Sequence, residues 1–134
     1  MTDDDRRRLR EVFARYPEVA AVWLFGSHAR GGAGAASDVD LAVEPRTPEA
    51  RRRKLDMLGD LVEAGFENVD LIILDRNDPV LRFEAMQPFD VIYAAPGVDP
   101  FESFLRAFKV YWDTEPLRRR MRRRTFERFS DRAS

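Results

Sequence analysis

Residues 24–43 read LFGSHARGGAGAASDVDLAV, and the fold of the chain turns on this stretch. A short apolar strand ends at Gly26-Ser27. A Gly/Ala-rich turn follows, with Arg30 inside it and a loop over residues 31–36. A second strand, residues 37–43, then carries Asp38 and Asp40. Successive strand side chains point to opposite faces, so Asp38 and Asp40 project together while Val39, Leu41 and Val43 face the other way. The link between the strands is too short for a full crossover helix, which makes them antiparallel or joined through one helical turn.

Working outward, residues 19–25 form a buried strand, stopped by Gly26. Before it, Thr2 is placed as an N-cap, with Asp3, Asp4 and Asp5 at the positive end of a helix dipole. Leu9, Val12, Phe13 and Tyr16 recur at helical spacing, and Pro17 ends that helix. After the second strand, Thr47-Pro48 reads as N-cap and first helical residue. The helix so opened shows an apolar stripe of Leu55, Leu58, Leu61 and Val62, and Gly65 stops it. Residues 69–74 form a third strand carrying Asp70. Asp78-Pro79 opens a short helix with Leu81, Phe83 and Met86, ended by Pro88. Residues 91–94 form an edge strand. Asp99-Pro100 opens the last helix, whose Phe101, Phe104, Leu105, Phe108, Tyr111 and Trp112 recur at i, i+3, i+4, i+7 and are expected to pack on the sheet. Pro116 kinks or breaks it.

Strands alternating with helices predict an α+β fold, an α/β mixed sheet with helical cover. With 134 residues the chain suits one domain: a core over residues 1–98 and a C-terminal helical extension over 99–134. There is no cysteine, which excludes a disulfide framework and a thiolate metal site. A pI near 5.9 argues against a general nucleic-acid binder. No apolar run is long enough to span a membrane and the N-terminus has no signal-peptide pattern, so the expected compartment is the cytoplasm.

Three carboxylates, Asp38, Asp40 and Asp70, would be crowded on adjacent strands. Like charges ~4 Å apart repel by roughly 4 kcal/mol at an effective dielectric of 20. Cations relieve that repulsion, and hard carboxylate oxygens select Mg²⁺ or Mn²⁺, with Mg²⁺ usually shared between carboxylates and substrate phosphates. The small Gly26 and Ser27 let backbone N–H groups approach phosphate oxygens, and Arg30 neutralises charge on them. A D-x-D pattern alone is common on exposed strands. The spacing G-S-x10-D-x-D, however, arises by chance in roughly one chain of this length in several hundred. His28, the single histidine, is placed as a solvated turn residue, and the arginines of residues 118–124 as a solvated helix face.

Gly26-Ser27-His28-Ala29-Arg30-Gly31, followed by Ser37-Asp38-Val39-Asp40-Leu41, resembles the minimal nucleotidyltransferase family of the DNA-polymerase-β-like superfamily. The motif has the form G-S-x-A-R-G, then S-D-x-D-L, and the likeness covers about residues 19–74. The resemblance implies a mixed sheet with helices on one side, ATP as substrate and Mg²⁺, as two ions. It implies that Asp38 and Asp40 are the paired metal ligands and Asp70 the third carboxylate, with Asp75 as an alternative at the strand end. It likewise implies that Gly26, Ser27 and Arg30 bind the triphosphate. Chain size points to the MntA-type antitoxin branch, which implies transfer of AMP to a tyrosine of a HEPN-domain ribonuclease toxin and a homo- or hetero-oligomeric assembly. Two other readings stand beside it: nucleotide transfer to a small molecule such as an antibiotic, and neutralisation of a partner by masking alone.

Overall fold

In the computed structural model, which describes residues 1–26 and 38–120, the chain is organised on β1 (Val19–Phe25). Its sequence VAAVWLF is apolar on both faces, and its first six residues are buried. β2 (Val39–Pro45) and β4 (Asp90–Ala94) flank it, both antiparallel, and β3 (Val69–Ile73) adds to β2 in parallel. The sheet order is therefore β3-β2-β1-β4. The first two strands are antiparallel, as their short link requires. The parallel pair β2–β3 is joined by the crossover such a pair needs: a 3₁₀ helix (Pro48–Arg53) running into the α-helix α2 (Lys54–Glu63).

Helices cover both faces of this sheet, where the family resemblance implied one. α1 (Asp3–Phe13) and α2 lie on the first face, where Leu9, Phe13, Met57 and Leu61 bury against Val22, Leu24, Leu41 and Leu71. α3 (Pro79–Met86) and α4 (Pro100–Asp113) lie on the second, where Ala85, Met86 and Ala107 meet Ala21, Trp23, Ala42 and Leu74. A central strand that is apolar on both sides demands both covers.

Local signals explain most boundaries. The Thr2 hydroxyl accepts from the Asp5 N–H and the Asp5 carboxylate accepts from the Thr2 N–H, a reciprocal capping box. α1 ends at Phe13 rather than at Pro17. The turn that follows, with the Tyr16 N–H bonded to the Phe13 carbonyl, keeps Tyr16 buried outside the helix, its hydroxyl donating to Asp60. Arg6 and Asp90 form a two-bond ion pair that ties α1 to β4. Gly65, at φ +100°, closes α2: its N–H bonds to the Val62 carbonyl and the Phe66 N–H to the Leu61 carbonyl, a Schellman arrangement. Asp78 and Asp99 cap α3 and α4, accepting from the Leu81 and Phe101 amides.

Three expectations are corrected. Thr47 makes no side-chain cap, and the helix it precedes starts as 3₁₀ turns before becoming α-helical at Lys54. The apolar stripe on α2 is also rotated: Met57 and Leu61 are buried, whereas Leu55 and Val62 are exposed. At 100° per residue, Met57, Leu61 and Ala64 share the inward side and Leu55 and Val62 fall about 140° round from it. On α4 the buried positions are Ser103 and Ala107, so Phe101, Leu105, Phe108 and Trp112 face outward instead of into the sheet. The small residues let α4 lie close, and its rings collect around Phe83, which stacks on Tyr111 at 4.2 Å and on Phe104 at 6.1 Å. Past Thr114, residues 115–120 are helical again, with Pro116 in the first turn, where its missing N–H has no bond to lose.

Candidate active site

The site grows from one end of the β1–β2–β3 ladder. Phe25, the last residue of β1, pairs with Asp40 of β2, and Asp40 pairs with Asp70 of β3 in parallel register. Residues in register on parallel neighbours project from the same face, with strands about 4.8 Å apart. Asp40 and Asp70 therefore stand side by side on the face covered further along by α3 and α4. Asp40 is half-buried and Asp70 exposed.

Gly26 completes this corner. It leaves β1 at φ +71°, and a Cβ built on it would lie 2.1 Å from Asp40 Oδ2. Only a residue without a side chain permits the carboxylate to rest against the chain there. The glycine read from sequence as part of a phosphate turn is thus also the floor beneath an aspartate.

Asp38 is placed differently from expectation. β2 begins at Val39, where the Val39 N–H bonds to the Asn68 carbonyl, and Asp38 precedes it as an exposed residue. Asp75 lies past the opposite end of β3, accepts from the Asn77 N–H and pairs with Arg51 at 2.6 Å, so it is part of the turn there and stands apart from Asp40. Ser27, His28 and Arg30 lie outside the described residues, as do the loop over residues 31–36 and residues 121–124 of the arginine run.

Among the described residues, no three Asp, Glu or His side chains gather as a metal cage. Asp40 and Asp70 nonetheless fit Mg²⁺. That ion keeps several waters and takes one or two carboxylates, the remaining ligands coming from substrate phosphates. A side-by-side pair of hard oxygen donors beside an open glycine corner has that character. Sequence reasoning missed one acidic group on the same face, Glu44, which the period-two alternation from Asp40 through Ala42 would have found.

A family model described as polymerase beta, nucleotidyltransferase matches residues 7–96. The chain belongs to the polymerase beta nucleotidyltransferase family. The region that matches this nucleotidyltransferase family runs from within α1 to just past β4, so it contains Gly26, Asp38, Asp40 and Asp70 and leaves α4 outside. No curated protein sequence matches the chain. Among solved structures, the nucleotidyltransferase fold is similar to a chain of a toxin–antitoxin crystal structure with AMP-PNP, with a TM-score of 0.74 and 18% identity over 90% of this chain and 98% of that one. It is also similar to a chain of the tri-AMPylated Shewanella oneidensis HEPN toxin in complex with MNT antitoxin, with a TM-score of 0.72 and 16% identity over 94% and 99%. A chain of the MntA–HepT toxin–antitoxin structure gives 0.71 and 16% over 93% and 99%. No helix among the described residues is long and apolar enough to cross a membrane.

Proposed function

We propose that this nucleotidyltransferase moves AMP from ATP to a tyrosine hydroxyl of a HEPN-type ribonuclease toxin, and so acts as its antitoxin. The observation that carries the reading is the register of Asp40 beside Asp70 against Gly26. The solved relatives agree with it, since one is a complex that contains a tri-AMPylated HEPN toxin.

In this reading Asp38, Asp40 and Asp70 hold Mg²⁺, as two ions, and Gly26, Ser27 and Arg30 hold the triphosphate. Bound Mg²⁺ supplies positive charge against the phosphate oxygens. The tyrosine oxygen bonds to the α-phosphorus, the bond from that phosphorus to the bridging oxygen of the β-phosphate breaks, pyrophosphate leaves, and the phenol proton passes to solvent. The protein's part is positioning and charge neutralisation: Asp70, at the exposed side of the pair, faces the incoming acceptor, and the Gly26 corner keeps Asp40 in place. Residues 1–98 form the catalytic core and residues 99–134 a helical extension that offers a surface to the partner.

The test uses ATP labelled at the α-phosphate, with Mg²⁺, in lysate of the source cells. Wild-type protein is expected to label one protein band, and both Asp40→Ala and EDTA to abolish it. Label recovered only in a small molecule would move the acceptor to the antibiotic-like class. An Asp40→Ala protein that neutralises the toxin as well as wild type would replace transfer with masking.

A further inference from the structure

Beyond Ala42 from the aspartate pair, β2 and β3 end in a second polar recess of about 610 Å³. It opens where β2 ends at Pro45 and gives way to Arg46 and Thr47, and where Leu74 and Asp75 follow β3. Arg82 of α3 and Arg106 of α4 close its side. Ala42, fully buried in the second-face core, separates it from Asp40.

The lining is unusual for a chain of net charge −1. Five arginines line the recess against two acids, Glu44 and Asp75. Arg51 is taken up by Asp75 at 2.6 Å. Arg46 and Arg76 make no ion pair among the described residues, and Arg106 has only a 3.4 Å hydrogen bond to Ser103 Oγ. Glu44 is 8% exposed, and its Oε2 is buried without a hydrogen-bond partner. Its Oε1 sits 3.7 Å from Arg82 Nη2, too far for a hydrogen bond. Thr47 Oγ1 is likewise buried and unpartnered. Burial foremost, and then the nearby Arg106 and Arg76, lower the Arg82 pKa against the opposing pull of Glu44. Glu44 Oε2 and Thr47 Oγ1 are thus buried polar atoms without a hydrogen-bond partner, a cost that a bound ligand would relieve.

We propose that this recess binds a phosphorylated sugar, free or as part of a nucleotide, at a site separate from the aspartate pair. The guanidinium groups of Arg46, Arg76 and Arg106, none held in an ion pair among the described residues, meet the phosphate, for which planar forked donors are suited. A sugar hydroxyl donates to Glu44 Oε2. The volume falls in the range of small-ligand sites. No aromatic ring lines the recess, so recognition rests on the sugar phosphate rather than on a stacked base. A nucleic-acid backbone fits less well, because it would meet a carboxylate at the floor where it needs cations. The inference does not depend on nucleotide transfer.

The test is calorimetric titration of the full chain in EDTA with ribose 5-phosphate, AMP and inorganic phosphate. Ribose 5-phosphate is expected to bind at least about tenfold more tightly than inorganic phosphate, reflecting the extra bond to a charged acceptor. The double substitution Arg76→Ser and Arg106→Ser, at exposed positions, is expected to weaken it at least about tenfold without moving the thermal unfolding midpoint. The double substitution Asp38→Ala and Asp40→Ala should leave it unchanged. Equal affinity for AMP identifies the ribose phosphate as the determinant, and tighter AMP binding with the same arginine dependence identifies a nucleotide as the source. The proposal is overturned if none of the three binds at millimolar concentration, if inorganic phosphate binds as tightly as both other probes, if binding survives the arginine substitutions, or if it is lost with the aspartates.

Discussion

Gly26 joins the two halves of the sequence motif at a single atom. Its φ of +71° already disfavours a side chain, and Asp40 Oδ2 occupies the place a Cβ would take. Gly26→Ala therefore combines backbone strain of about 1 kcal/mol or more with displacement of the carboxylate. Transfer is expected to fall about 100-fold, the usual effect of a misplacement near 1 Å in a positioned site. Rate measurements alongside thermal unfolding check this: a loss of activity far larger than the loss of folded protein supports positioning, and wild-type activity would show that Asp40 needs no such corner. The motif spacing made both residues legible. Their contact was not legible, because it depends on β1 and β2 being antiparallel with Phe25 opposite Asp40.

At the scale of one element, α1 tests how far local sequence goes. The Thr2–Asp5 capping box closes its first turn with no help from the sheet. Thr2→Ala should cost about 1 kcal/mol, measured as a lower unfolding midpoint in urea with unchanged slope. The Asp5 carboxyl is held below its ordinary 3.8, first by the Thr2 backbone N–H, then by the Thr2 hydroxyl and Arg8, against a desolvation that acts the other way. Its stabilising share is thus complete above the unfolded value and disappears as pH falls through the lowered folded one. The wild-type advantage over Asp5→Ala should therefore shrink on acidification below about pH 4. An advantage unchanged at pH 2 would mean that the Asp5 half of the box contributes nothing. α2 and α4 show the opposite case. Their apolar positions are plain in the sequence, but which side turns inward was set by Met57, Leu61, Ser103 and Ala107, on neighbours the sequence does not display.

Taken whole, the molecule keeps its aspartate pair at one sheet end, a basic recess at the other, and an outward row of rings on α4. Phe101, Leu105, Phe108 and Trp112 remain exposed, and Trp112 stacks on Phe108 at 6.2 Å. Aromatic side chains concentrate binding energy at interfaces. If this row meets the toxin, the double substitution Phe108→Ala and Trp112→Ala should weaken toxin binding at least about tenfold while leaving ATP affinity unchanged. An unchanged dissociation constant for the toxin would remove this face from the interface. A joint loss of ATP binding would show instead that the rings support the sheet.

Sequence alone determined the strand β1, the caps at Thr2, Asp78 and Asp99, the stop at Gly65 and the identity of Gly26, Asp38, Asp40 and Asp70. These follow from interactions spanning a few residues, and from a motif whose spacing is written along the chain. Only the tertiary structure decided that Asp40 stands beside Asp70, that Asp38 precedes the first residue of β2, and that α4 buries Ser103 and Ala107 while Phe101, Leu105, Phe108 and Trp112 face outward. It alone brought Glu44 together with Arg46 just past β2, Arg82 of α3 and Arg106 of α4. Those relations are set by strand register and by helices packing across the sheet. Both depend on the summed burial of residues far apart in the chain, which no local pattern encodes.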